Sequence, residues 1–432
     1  MIEIFDIALL FVIFSLFLLS PFSLYKKEIF GYFVNQNLIV LSNLIFNLNI
    51  LLIFSITSLK ISQYYFYIIS FLLIFFLKNY FQDYKKIKLK DNILLILMFF
   101  IIFFILSIDI ANELNLGWDA KWFYLIESLY YMQGNSFKEL AEQMFKDFHP
   151  HPHLGSYLWA FFSNLNINNH EYYGRLFYLF LYIFGLFLIT KKAVKNKNYD
   201  LIILTILIII TYKYRYFSGL QEILIFSNLI FISLIIYDYI LEKRFTYLII
   251  ISLILNLILW TKAEGIVYFF IVMGCINLIK KISLSHRIKF NLFCLSLILF
   301  KFLVYQFFEI RPNNQPYSLN FFDNLNFEIL FFQVYNISLY FIYNSINNII
   351  YIITFTVLVM DRNKIFKNEY SKIIFIFFLL NLCFIFSAYI LRDQEIIYSL
   401  KTTMDRVVFT SSGFYLFFIG LYFKKLSSKF IN

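Results

Sequence analysis

Asp119 stands between two tryptophans in "GWDAKW", just past an apolar run. A carboxyl partly withdrawn from water at a helix end has a raised pKa and can take a proton as a general base. The same residue could instead cap a helix, because aspartate is favoured at N-caps, and position alone leaves both roles open. Lys121 follows two residues later. Three more segments put charge into greasy sequence: "FSGLQEILI" with Glu222, "WTKAEGIVYFF" with Lys262 and Glu264, and "TTMDRVVF" with Asp405 and Arg406. Acids and bases gathered in otherwise apolar sequence mark a candidate site. The plainer use of Lys262 with Glu264, and of Asp405 with Arg406, is as ion pairs or snorkelled charges at an interface.

The segment "FKDFHPHPHLGSY" holds three of the five histidines of the chain, so its titratable groups are concentrated rather than scattered. Pro150 and Pro152 disfavour helix in the residues before them, which holds His149 and His151 in extended backbone. His149, His151 and His153 then alternate to one side, as metal ligands can. The intervening prolines space them poorly for one ion and no cysteine accompanies them, so no metal site is assigned. Hydrogen bonding to a substrate or to the loop itself is the favoured use, with the segment as a rigid strap across the mouth of an outer cavity.

The elements that carry these residues follow from composition. The chain has 432 residues, 61% hydrophobic and only 15% charged, where a soluble domain would need about twice that charge. Apolar runs of membrane-spanning length recur throughout, "NILLILMFFIIFFILSI" among them, which makes this an all-α polytopic transmembrane bundle. About thirteen spans are expected, near 7–25, 36–58, 62–79, 92–109, 172–190, 200–213, 220–240, 246–260, 264–280, 290–309, 340–360, 373–391 and 407–423. The first is read as a span, not a cleaved leader, since no basic region precedes it. Lysine and arginine cluster in alternate loops, at Lys26/Lys27, Lys85 to Lys90, Lys191 to Lys197, Lys243/Arg244, Lys280 to Lys289, Arg362 to Lys367 and Lys424 to Lys429. The positive-inside rule makes those loops cytoplasmic, so the net charge of +11 reports topology and not nucleic-acid binding. Cys275, Cys294 and Cys383 lie in or beside apolar runs and read as small hydrophobes.

Threaded this way, the Gly/Pro-interrupted, mixed-charge segments all reach the outer face, which suggests a site there. The long outer loop, 110–171, begins with a helix whose Trp118, Trp122, Leu125, Ile126 and Leu129 recur at helical spacing, with Lys121, Glu127 and Ser128 off that stripe. It is too short to span and is expected to lie along the surface with its tryptophans at headgroup level. A second short helix is expected near 136–146, and the chain re-enters a helix from Leu154. Lys301, in mid-span, is expected to face a cavity or a partner.

Taken in order, "GWDAKWFYLIESLYY", "HPHPHLGSYLWAFF", "FSGLQEILI", "WTKAEGIVYFF" and "TTMDRVVF" resemble the C-type glycosyltransferase superfamily (GT-C). Within it they are similar to bacterial proteins related to protein O-mannosyltransferases and the lipid A aminoarabinose transferase. The resemblance covers about 90–423 and divides the chain into N-terminal transmembrane helices, 1–90, and a GT-C-like transmembrane catalytic domain, 91–432. It departs where the family's Tyr-Pro is replaced by His151-Pro152-His153, and in placing three N-terminal spans ahead of the span that leads into the loop. It implies transfer of a sugar from a polyprenyl-phosphate donor to a glycan, lipid or protein acceptor, with inversion, at the periplasmic face of a bacterial inner membrane. Asp119 is then the matched base. Lys121, His149, His151, Glu222, Lys262, Glu264 and Arg406 are the substrate-binding candidates, Lys262 and Arg406 as counter-charges to the leaving phosphate. No P-loop or dinucleotide fingerprint occurs, so no cofactor is expected, while a part for a divalent metal stays open. The competing reading is a flippase, polymerase or transporter of surface glycan intermediates. Against it, no internal repeat is visible and the Gly/Pro breaks sit at the outer face, not at mid-membrane.

Overall fold

The computed structural model describes residues 4–19, 36–57, 59–84, 90–112, 115–143, 152–165, 170–193, 200–280, 282–310, 327–360, 362, 367–392 and 395–430. They are helical, with no strand among them. In chain order the helices are α1 Ile4–Leu19, α2 Gln36–Ser55, α3 Leu59–Tyr84, α4 Lys90–Asn112, α5 Leu125–Met132, α6 Phe137–Gln143, α7 Leu154–Asn164, α8 Tyr172–Ala193, α9 Asp200–Thr211, α10 Glu222–Glu242, α11 Phe245–Thr261, α12 Gly265–Asn277, α13 Leu284–Phe307, α14 Phe327–Ile346, α15 Ile349–Met360, α16 Glu369–Ile390 and α17 Ile396–Phe430. A π-helical turn, Ala120–Tyr124, leads into α5, and a 3-10 turn, Tyr214–Phe217, precedes α10.

Seven helices among the described residues are long and apolar enough to cross a membrane, and further apolar helices, such as α9 and α12, are shorter than that. Much apolar surface faces outward. On α14, Phe327 is 81% and Phe331 74% exposed. Surface of that kind is costly in water and ordinary against lipid, so the chain is a helical membrane protein. The run expected as one span over 340–360 is instead the end of α14 and the whole of α15, joined at Asn347 and Asn348.

The centre is formed by α8, α10, α11 and α17, and α10 is buried nearly all round, as its uniformly apolar sequence requires. It runs parallel to α17. A Cβ on Gly413 would lie 2.3 Å from the Phe226 carbonyl oxygen, and Ser233 Oγ donates to the Phe414 carbonyl at 2.8 Å. The N-terminal helices pack into the same core: Asn49 of α2 donates to the Leu253 carbonyl of α11 at 3.1 Å, and Tyr173 of α8 donates to Asp6 of α1 at 2.6 Å. Lys301 of α13 finds its partner at the end of α11. Its ammonium donates to the Leu259 carbonyl at 2.7 Å and lies over the rings of Trp260 and Tyr305. Leu259 is in the last turn of α11, where carbonyls lack helical partners and a cation suits the helix dipole.

Outside the bundle, the π-helical turn with the residues before it and α5 turn Trp118, Trp122 and Leu129 outward, and α5 buries Glu127, Ser128 and Tyr131. Three of the five stripe residues therefore face away from the protein, Leu125 and Ile126 pack against its core, and Ser128 and Glu127 are covered by α7. The short helix after it, α6, begins with a capping box: Glu139 accepts from the Ser136 amide at 2.5 Å, and the Glu139 amide donates to Ser136 Oγ at 3.4 Å. α7 is buried along most of its length.

Candidate functional site

The chain from α4 reaches Asp119 through Asn115–Gly117, where the Gly117 amide donates to the Ser218 carbonyl at 2.9 Å. Gly219 makes the approach possible. Its φ of +85° is a left-handed conformation open to glycine, and a Cβ there would strike Trp159 at 2.6 Å and Ala120 at 2.8 Å. Three residues later Glu222 opens α10, where a carboxylate complements the helix dipole. Lys262 leaves α11 in extended backbone and Glu264 precedes α12. That turn closes on Gly265, whose added Cβ would fall 2.0 Å from the Ile258 carbonyl oxygen. Arg406 lies about three turns into α17.

These side chains form one ion-paired cluster. Arg406 Nη2 bonds both Asp119 Oδ2 and Glu222 Oε1, and its Nε bonds Glu222 Oε1 at 2.5 Å. Lys262 Nζ reaches the same Glu222 oxygen at 2.8 Å and Glu264 Oε1 at 3.4 Å. Glu222 is buried, its second oxygen without a hydrogen-bond partner, while Asp119 keeps a quarter of its side chain exposed. Three carboxylates meet two cations, leaving the cluster one charge negative. Beside it Arg215 Nη1 pairs with Asp405 Oδ2 at 2.7 Å. Tyr216 stacks on Phe409 at 3.6 Å, tying the 3-10 turn to α17.

Burial alone would lower the Lys262 ammonium, but Glu222 and then Glu264 offset it and hold the group above its usual value. The Tyr124 hydroxyl is pushed far above the phenol range, first by burial and then by Glu222, Asp119 and Glu264. Lys262 is therefore a cation at neutral pH, and Tyr124 a neutral hydroxyl beside the carboxylates. Chemically, Asp119 can accept a proton at the open edge of the cluster. The two cations can meet an anion only by exchanging a carboxylate oxygen for one of its oxygens.

Of the candidates, Asp119, Glu222, Lys262, Glu264 and Arg406 are brought together from four parts of the chain. Lys121 is exposed, near the Trp122 ring, and outside these ion pairs. His149 and His151 lie outside the described residues. His153, expected on an outer strap, is enclosed instead. Its Nε2 bonds Ser55 Oγ at 2.6 Å, and its ring packs on Phe137 and Trp260. Burial, then Lys301, pushes it down to about 3, so it stays neutral. Among the described residues no group of His, Cys, Asp or Glu could hold a metal ion.

The sequence reading missed Tyr124, Arg215 and the polar layer under the cluster. Tyr124 had no signal in a chain with 34 tyrosines. Arg215 did, since it stands two residues before "FSGLQEILI", one of the charged segments in greasy sequence. Comparison with protein-family models, curated proteins and solved structures finds no match to this chain.

Proposed function

We propose that this protein is a membrane glycosyltransferase of GT-C type, with about thirteen spans, that moves a sugar from a polyprenyl-phosphate donor to an acceptor hydroxyl at the outer face of a bacterial inner membrane. The observation that carries the reading is the convergence of Asp119, Glu222, Lys262 and Arg406, nominated separately from sequence, into one cluster at a single end of the bundle. Asp119 takes the acceptor hydroxyl proton, and that oxygen attacks the anomeric carbon as the carbon–oxygen bond to the lipid phosphate breaks. The departing phosphate carries off the bonding pair. Arg406 and Lys262 turn from the oxygen of Glu222 they share to the phosphate oxygens, and fixed cations of this kind lower the barrier most where water is excluded. Glu222 holds both cations in place while the site is unoccupied by substrate, and Glu264 retains Lys262 during the exchange.

The test is Asp119→Asn. Asparagine keeps the size and an oxygen that can accept from Arg406, and leaves Arg406 on Glu222, so the protein should accumulate and melt as the parent does. Incorporation of labelled sugar from a polyprenyl-phosphate donor into envelope material should fall by about 10²–10⁴-fold, the usual contribution of a general base. Transfer at the parental rate would reject the assignment and leave Asp119 as a structural ion-pair partner of Arg406, since its backbone is helical and its side chain makes no capping bond.

A further inference from the structure

Beneath the cluster lies a buried acid that the proposed chemistry does not use. Glu127 of α5 is 2% exposed, and its Oε2 accepts from Ser156 Oγ of α7 at 2.6 Å. Next to it Ser128 Oγ donates to the Ser156 carbonyl at 2.9 Å. The layer continues through Gln221: with its amide turned so that donors meet acceptors, its oxygen accepts from the Ser156 backbone N–H at 3.3 Å and its nitrogen donates to the Thr261 carbonyl. Gln221 fills the space that a side chain on residue 155 would need, since a Cβ on Gly155 would sit 2.3 Å from it. The neighbours of these two residues are Glu222 and Lys262. The start of α10 and the end of α11 are therefore joined twice, by Gln221 to Thr261 in one layer and by Glu222 to Lys262 in the next.

We propose that Glu127 is a positioning residue: through Ser156 it ties α5 and α7 to Gln221, and so fixes the register of the Glu222–Lys262 pair. The ionisable groups facing it are phenols, Tyr131 on α5, Tyr178 on α8 and Tyr305 on α13. Ser156 is its hydrogen-bond partner, and no cation among the described residues forms an ion pair with it. Burial raises its pKa from the ordinary carboxyl value to about 8, partly offset by the Ser156 hydrogen bond. Opening this layer would return the group to water and to its ordinary pKa. The sign follows: the stabilisation is complete below about pH 4.5 and is lost as the pH rises through about 8. Acidification tightens the tie and alkali loosens it.

The inference bears on how the proposed site is held, yet it can be tested without any turnover. Hydrogen exchange, followed by mass spectrometry on the full-length protein in detergent, reads the protection of 214–224. After correction for intrinsic exchange, the opening constant of that segment should rise roughly tenfold per pH unit between pH 5.5 and 7.5, one proton being linked to opening. In Glu127→Gln, which still accepts from Ser156 and cannot ionise, it should stay level over the same range. A pH response in the Gln variant equal to that of the parent overturns the proposal, as does a level response in the parent. If the exchange behaves as expected while neither protein transfers sugar, the positioning role stands and the glycosyltransferase reading fails.

Discussion

Glu222 is the residue on which the cluster turns. One of its oxygens meets both cations, and Glu222 itself is 4% exposed at its side chain. Removing one member of a buried ion pair leaves the other charge uncompensated, at a cost of about 3–5 kcal/mol. Glu222→Gln is therefore expected to lower the melting temperature of the purified protein sharply. Adding Lys262→Met to that variant removes one stranded cation and should recover part of the loss; a double variant no more stable than Glu222→Gln alone would mean that the two residues are not energetically coupled. The sequence could nominate these residues by type and by their place beside Gly or at helix ends. It could not pair them, because Asp119 and Arg406 are 287 positions apart and only the packing of α10, α11 and α17 brings them together.

Among the elements, the parallel pair α10 and α17 sets the geometry. Phe226 stacks on Phe409 at 4.5 Å, one turn beyond Glu222 and one beyond Arg406. Further along, Gly413 lets the α17 backbone meet the Phe226 carbonyl. Gly413→Ala would force the helices apart where they meet backbone to backbone. The expected outcome is a loss of monodisperse protein on size exclusion, or a drop in melting temperature of several degrees, with transfer falling alongside. A fully active, fully stable Ala variant would show that α10 and α17 do not need this close approach. Helix positions were legible because apolar runs and basic loops bound them. The inward face of α5 was only half legible. Its apolar stripe is plain in sequence, but nothing local says that Trp118, Trp122 and Leu129 stay exposed while Glu127 and Ser128 turn inward to meet α7. The junction at Asn347 and Asn348 was hidden for a related reason, since an apolar run does not reveal a break of two residues.

For the molecule as a whole, charge separates along the helix axes. Glu222 begins α10, whereas Asp238, near its end, pairs with Lys192 of α8. Arg406 lies early in α17, and Lys424 eighteen residues later donates to the Lys192 carbonyl at 3.0 Å. At 1.5 Å rise per residue these two ends are about 24–27 Å apart, close to the thickness of a bilayer core. The lysine-rich end should face the cytoplasm. That orientation is open to a direct measurement. In a Cys383→Ser background, which removes the exposed native thiol and keeps the buried Cys275 and Cys294, cysteine is placed at Asn135, between α5 and α6, or at Lys280, after α12. An impermeant maleimide applied to intact cells should label Asn135→Cys at once and Lys280→Cys only after permeabilisation. The reverse pattern would put Asp119, Arg406 and their partners on the cytoplasmic side. A donor whose phosphate lies in the outer leaflet could not then reach them, and the transfer reaction proposed above would lose its site.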